Sequence, residues 1–201
     1  MPNWCKNNIE IIGPKREIKS LWEEIMQNKD KGLLSAICPQ PDNMFHGNLG
    51  ERERQLCARK NIPNWYDWNI KNWGTKWDVS TEDLSFVFDA PEFGKYFVDP
   101  KDGSSIIHGF FESAWTPPIQ AYKYFLEKNP SCKIIASYYE VGMDFAGYFD
   151  ENGLVTEIND IHSIALDVID REVAIEDTEY PFAILDSEFS IIDFVSEWEQ
   201  E

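Results

Sequence analysis

No two of the four cysteines, Cys5, Cys38, Cys57 and Cys132, form a CxxC pair, and only three histidines accompany them. Such spacing signals neither a zinc ribbon nor a disulfide framework and fits no iron–sulfur cluster, so free and mostly buried thiols are expected. Long apolar runs are missing too. Nothing approaches the roughly 18 to 20 residues that a membrane-spanning helix needs. The opening Met1-Pro2-Asn3-Trp4-Cys5-Lys6 lacks the charged segment, apolar run and cleavage site of a leader, so a cytoplasmic protein is expected. The chain contains no P-loop, GxGxxG, HExxH or GxSxG pattern. Asp99, Asp102, Asp144, Asp150 and Glu151 do not build a calcium loop with a closing glutamate. Neither a cofactor nor a metal is expected.

Basic residues become scarce along the chain. The net charge is -18, yet residues 1–80 carry 12 Lys+Arg against 10 Asp+Glu. From Glu140 onward there are 18 acidic residues and a single basic one, Arg171, a balance of -17. Charge of that density repels phosphates and membranes and speeds the capture of basic partners. It also serves plain solubility. A composition of 43% hydrophobic, 14% aromatic and 27% charged residues is that of a globular protein with one main domain.

Hydrophobic period supplies the element order. Cys5, Asn7, Ile9 and Ile11 alternate with Lys6, Asn8, Glu10 and Ile12, which predicts a strand over Cys5–Ile12. Ile18, Leu21, Trp22, Ile25 and Met26 form one stripe of a following helix, begun by Pro14 and ended by Asn28. Between Pro63 and Asp78 the sequence PNWYDWNIKNWGTKWD holds four tryptophans, Trp65, Trp68, Trp73 and Trp77. It predicts a short helix stopped by Gly74 and a strand opened by Trp77. Ser105–Ser113 reads as extended, and Thr116 with Pro117-Pro118 is suited to start a helix over Ile119, Tyr122, Phe125 and Leu126. Cys132–Val141, Phe145–Asp150 and Leu154–Ile158 then read as a meander of strands.

That order matches a split βαβ pattern. The expected fold is α+β: a ferredoxin-like sandwich over residues 1–158, with helices on one face of an antiparallel sheet and an aromatic insertion at about 32–104. Residues 159–201 form an acidic extension. Ile161, Ile164, Ala165, Val168 and Ile169 keep helical spacing, as do Ile191, Phe194, Val195 and Trp198, and both stripes are expected to dock on the rest of the chain.

Three motifs carry a resemblance: Met1-Pro2-Asn3-Trp4-Cys5-Lys6-Asn7 with Ile9, Ile11 and Gly13; Trp65-Tyr66-Asp67-Trp68 through Asn72-Trp73-Gly74-Thr75-Lys76-Trp77-Asp78; and Phe111-Glu112-Ser113-Ala114-Trp115-Thr116-Pro117-Pro118. With Tyr138-Tyr139-Glu140 and Phe145-Ala146-Gly147, the chain over about residues 1–158 resembles the YubB-like family of ferredoxin-like-domain proteins from phages and conjugative plasmids. The resemblance implies that fold and a mobile-element setting. It implies no catalytic residues.

Candidate chemistry is sparse. His108 and Glu112 stand four apart on a predicted strand and therefore share a face with Phe110, the best candidate for a small hydrolase or a ligand pocket. A structural histidine among aromatics is the commoner arrangement. His46 and His162 stand alone. Tyr138, Tyr139, Phe110 and Phe111 would suit base stacking on a ferredoxin-like sheet. Lys123, Lys128 and Lys133 are however the only cations from Ser104 to Asp170, too few for a phosphate-tracking groove, so direct nucleic-acid binding is not expected. The expectation is a non-enzymatic interaction protein whose acids Glu157, Asp160, Asp167, Asp170, Glu172, Glu176, Asp177 and Glu179 engage a basic host protein. That partner is expected among nucleic-acid-handling or defence proteins, with the acids mimicking nucleic acid as an anti-defence inhibitor. A structural accessory role without mimicry is the alternative.

Overall fold

A computed structural model describes residues 3–27, 31–88, 103–171 and 180–198. The chain runs β1 (Trp4–Pro14), α1 (Lys15–Gln27), α2 (Leu33–Ile37), α3 (Glu51–Lys60), α4 (Trp65–Asn72), β2 (Leu84–Val87), β3 (Ser104–Ala114) and α5 (Ile119–Lys128). It continues through β4 (Lys133–Glu140), β5 (Phe145–Phe149), β6 (Val155–Asn159), α6 (Ile161–Arg171), α7 (Tyr180–Phe189) and α8 (Ile191–Trp198). The protein is α+β, and the strands among the described residues form one six-stranded sheet of order β2-β3-β1-β4-β5-β6 in which every neighbouring pair is antiparallel.

Alternation along β1 divides the molecule. Ile9 and Ile11 face a core completed by Ile18, Leu21 and Ile25 of α1, by α2, and by Ala121, Tyr122 and Phe125 of α5. Trp73, just after α4, is buried in the same core, with its indole N–H donating to the Cys38 carbonyl at 2.8 Å and its ring edge-on to Trp68 at 5.7 Å. The opposite face of the sheet carries a second core. Tyr139, Ala146 and Ile158 project there and are covered by Ile161 and Ala165 of α6, Phe182 and Leu185 of α7, and Ile191 and Val195 of α8. Helices therefore lie on both faces, not on one as expected, because the C-terminal stripes find their apolar partner on the far side of β4–β6. All four cysteines are free and buried. Among the described residues no helix is long and apolar enough to cross a membrane.

Three local expectations need correction. Trp77 does not open a strand. It lies in the loop before β2, where the next residue, Asp78, is committed elsewhere: its carboxylate accepts the Gly32, Leu34 and Ser35 amides at 3.1, 2.8 and 3.2 Å. An acid more than forty residues away thus caps α2, whose own N-cap, Gly32, has no side chain to offer. Thr116 does not cap α5 either, since its hydroxyl donates to the Gly74 carbonyl at 2.6 Å and Pro118 takes the N-cap position. Among its described residues the C-terminal part holds three helices rather than two. The additional one, α7, is apolar over most of its turns (YPFAILDSEF) and lacks the one-sided stripe that reveals a surface helix. Asn28, read as the end of the first helix, lies outside the described residues.

Candidate functional site

The register of β1 against β3 sets Trp4, Lys6, Asn8 and Glu10 beside Ala114, Glu112, Phe110 and His108. All of these side chains face the same way as Tyr139, but α6–α8 lie over the β4–β6 half of the sheet and leave this end open. A groove of about 670 Å³ results, bordered by the Asp78–Asp83 loop on one side and the C-terminal end of α7 on the other. Its apolar surface is Trp4, Phe110 and Phe189, with Trp4 45% and Phe110 53% exposed. Glu82, Asp83, Glu112 and Glu188 supply the rim, and Lys6 is the one basic residue lining it among the described residues. Carboxylates beside exposed rings favour cations on both electrostatic and quadrupolar grounds.

The aromatic ridge continues beyond the groove. Trp4 packs against Trp77 with ring centroids 6.0 Å apart. The chain's own Lys76 ammonium sits 4.2 Å from the Trp77 ring centre and 5.5 Å from that of the exposed Trp115. Lys6 points toward Phe194 of α8, 5.9 Å from its centre. Two of the chain's own cations thus lie over aromatic rings near this face.

Of the proposed catalytic pair, Glu112 lines the groove and His108 does not. Phe110 stands between them as expected, and His108 pairs in register with Glu10 and Ser85. The four rings considered for base stacking do not form a platform. Tyr138 and Phe111 are buried on the α1/α5 side, Tyr139 is buried under Phe189 at 6.2 Å, and only Phe110 is open. Among the described residues no cluster of three or more His, Cys, Asp or Glu could hold a metal ion.

The acids after Glu140 divide into two kinds. Several are tied into the fold. Buried Glu140 accepts the Gly142 and Met143 amides at 2.9 and 2.6 Å, Asp144 accepts the His162 amide at 2.8 Å, and Asp150 accepts those of Asn152 and Leu154. Asp186 accepts the Ile192 amide at 2.7 Å, and Glu188 accepts a hydrogen bond from the Ser137 hydroxyl. Others face solvent. Glu157 on β6 is exposed and accepts from the Tyr138 hydroxyl at 3.3 Å; Asp160, just before α6, and Asp167 within it are exposed as well. Asp170 belongs to α6. Glu172, Glu176, Asp177 and Glu179 lie outside the described residues, as do Asp99 and Asp102.

Trp4, Glu82, Asp83 and Glu188 line the groove without having been expected as site residues. One signal was present: Trp4 occupies the same alternation as Lys6, Asn8 and Glu10, the polar register of an amphipathic strand, where a large ring is out of place unless it meets something.

No family model matches the chain, and no curated protein does. Among solved structures it is similar to the crystal structure of a protein api92 from Yersinia pseudotuberculosis, described by the family model DUF1281. The match has 13% identity and a TM-score of 0.39, and covers 79% of this chain and 98% of that one. A likeness of that degree leaves function to be argued from the residues themselves.

Proposed function

We propose that the protein is a non-enzymatic interaction protein that binds a basic partner, standing in for nucleic acid on a host nucleic-acid-handling or defence protein. One observation carries the reading. An acidic helical layer, α6–α8, covers half of the sheet face on which an RNA-binding sheet of this class stacks bases, and exposed Asp167, Asp193 and Glu197 project from its helices. Such a surface repels phosphate and attracts lysine and arginine. The strand order β2-β3-β1-β4, with α1 following β1 and α5 following β3, supports a ferredoxin-like split βαβ core with the tryptophan-rich segment inserted between α1 and β2. The resemblance to YubB-like proteins supports a phage or plasmid origin and action in the host cytosol, and it rests on sequence motifs alone.

The reading is tested by capture from host lysate at low and high salt, with wild type beside a variant in which Asp167, Glu172, Glu176, Asp177 and Glu179 are reversed to lysine. The expected result is a basic protein retained at low salt, released at high salt and lost with the charge reversal. A captured protein that is indifferent to the reversal would sink the reading.

A further inference from the structure

We infer that the groove over β1 and β3 is the docking site for an extended, arginine- or lysine-bearing segment of a protein partner, an inference that rests on the basic-partner reading above. Charge complementarity selects this occupant. Five carboxylates line the opening of about 670 Å³ against one lysine: Glu82, Asp83 and Glu112, with Asp78 and Glu188, which also accept hydrogen bonds within the fold. The exposed Phe110 and Trp4 rings offer the faces on which guanidinium and ammonium groups settle. Lys76 already lies over the adjoining Trp77 and Trp115 rings, an intramolecular instance of the same contact. An exposed tryptophan lining a concave acidic surface is also the composition of an interface hot spot rather than of a solvated face.

The groove is distinct from the acids of the C-terminal extension, so the two can be separated by experiment. The probe is a fluorescein-labelled peptide with arginine at alternate positions, titrated with the full-length protein by fluorescence anisotropy at stepped salt concentrations. Phe110→Ala and Trp4→Ala remove exposed rings, and Glu112→Gln removes a rim charge without changing shape. Glu127→Gln, an exposed acid on α5 across the sheet, is the control. The expected result is salt-sensitive binding weakened about fivefold or more by each groove variant and within twofold of wild type for the control. Binding that ignores the groove variants but falls with charge reversal at Asp167 and Glu172 overturns the groove while leaving the basic-partner reading in place. Absence of binding at low salt overturns both. A concentration-dependent dimer in sedimentation, dissociated by Phe110→Ala, would identify a second copy as the occupant and overturn the proposal.

Discussion

The Asp78 carboxylate receives the Leu34 amide at 2.8 Å, and through the same side chain it also holds Gly32, Ser35 and Val79. One acid therefore joins the end of the tryptophan-rich segment to the start of α2. Asp78→Ala leaves these amides without their acceptor and is expected to lower stability by about 1–2 kcal/mol. Asp78→Asn is expected to recover only part of that loss, since the amide group brings donors toward donors. Urea unfolding followed by tryptophan fluorescence measures both.

Gly109 lies in β3 with φ 152°, and a Cβ there would come within 2.1 Å of the Asp83 carbonyl oxygen. Gly109→Ala must push the start of β2 away from β3. A loss of about 1–3 kcal/mol is expected from backbone strain alone. Because Glu82 and Asp83 belong to that displaced segment, binding of the arginine peptide should weaken as well; unchanged stability would show that the edge strand yields freely.

Phe182 of α7 is fully buried beside Leu185, Tyr139 and Ala146. Phe182→Ala is expected to cost about 3–5 kcal/mol and to shift a single unfolding transition, because the C-terminal helices share their core with the sheet. Urea titration by near- and far-ultraviolet circular dichroism reads this. Two separated transitions would instead make α6–α8 an independent unit.

Alkali should unfold the protein. Burial pushes the Cys38 thiol from 9.0 up to about 11 and the Cys132 thiol up to about 12, the latter helped by Glu17. Burial, with the charges of Asp144 and Glu140, pushes the Tyr139 phenol up to about 12. Each group ionises earlier in the unfolded chain, so unfolding releases protons at high pH. The stabilisation is complete below pH 9 and is lost as the pH rises through 11 to 12. Urea midpoints should fall across that range while the phenolate absorbance recorded alongside rises.

Much of the local structure was legible from period alone. The alternation of Cys5–Ile12 and the stripe from Ile18 to Met26 forecast β1 and α1, because in each a single face is buried and the other is wet. The buried place of Trp73 followed from the crowding of rings that need cover. Trp77 and Thr116 were misread because their partners are remote in sequence. Asp78 beside Trp77 reaches back to α2, and Thr116 reaches Gly74, so tertiary hydrogen bonds override the local turn and cap preferences. Helix α7 carries no one-sided apolar stripe in its sequence YPFAILDSEF, so period does not reveal it.

The sequence by itself determined the type of most elements, the free thiols and the concentration of negative charge after Glu140, since these follow from composition and nearest-neighbour spacing. Only the tertiary structure decided which face of the sheet α6–α8 cover, which acids are spent on backbone amides and which remain at the surface, and that Trp4 and Phe110 stay open beside Glu112. The open groove depends on pairing of β1 with β3 about a hundred positions away, and a strand's alternation specifies two faces without specifying what will cover either of them.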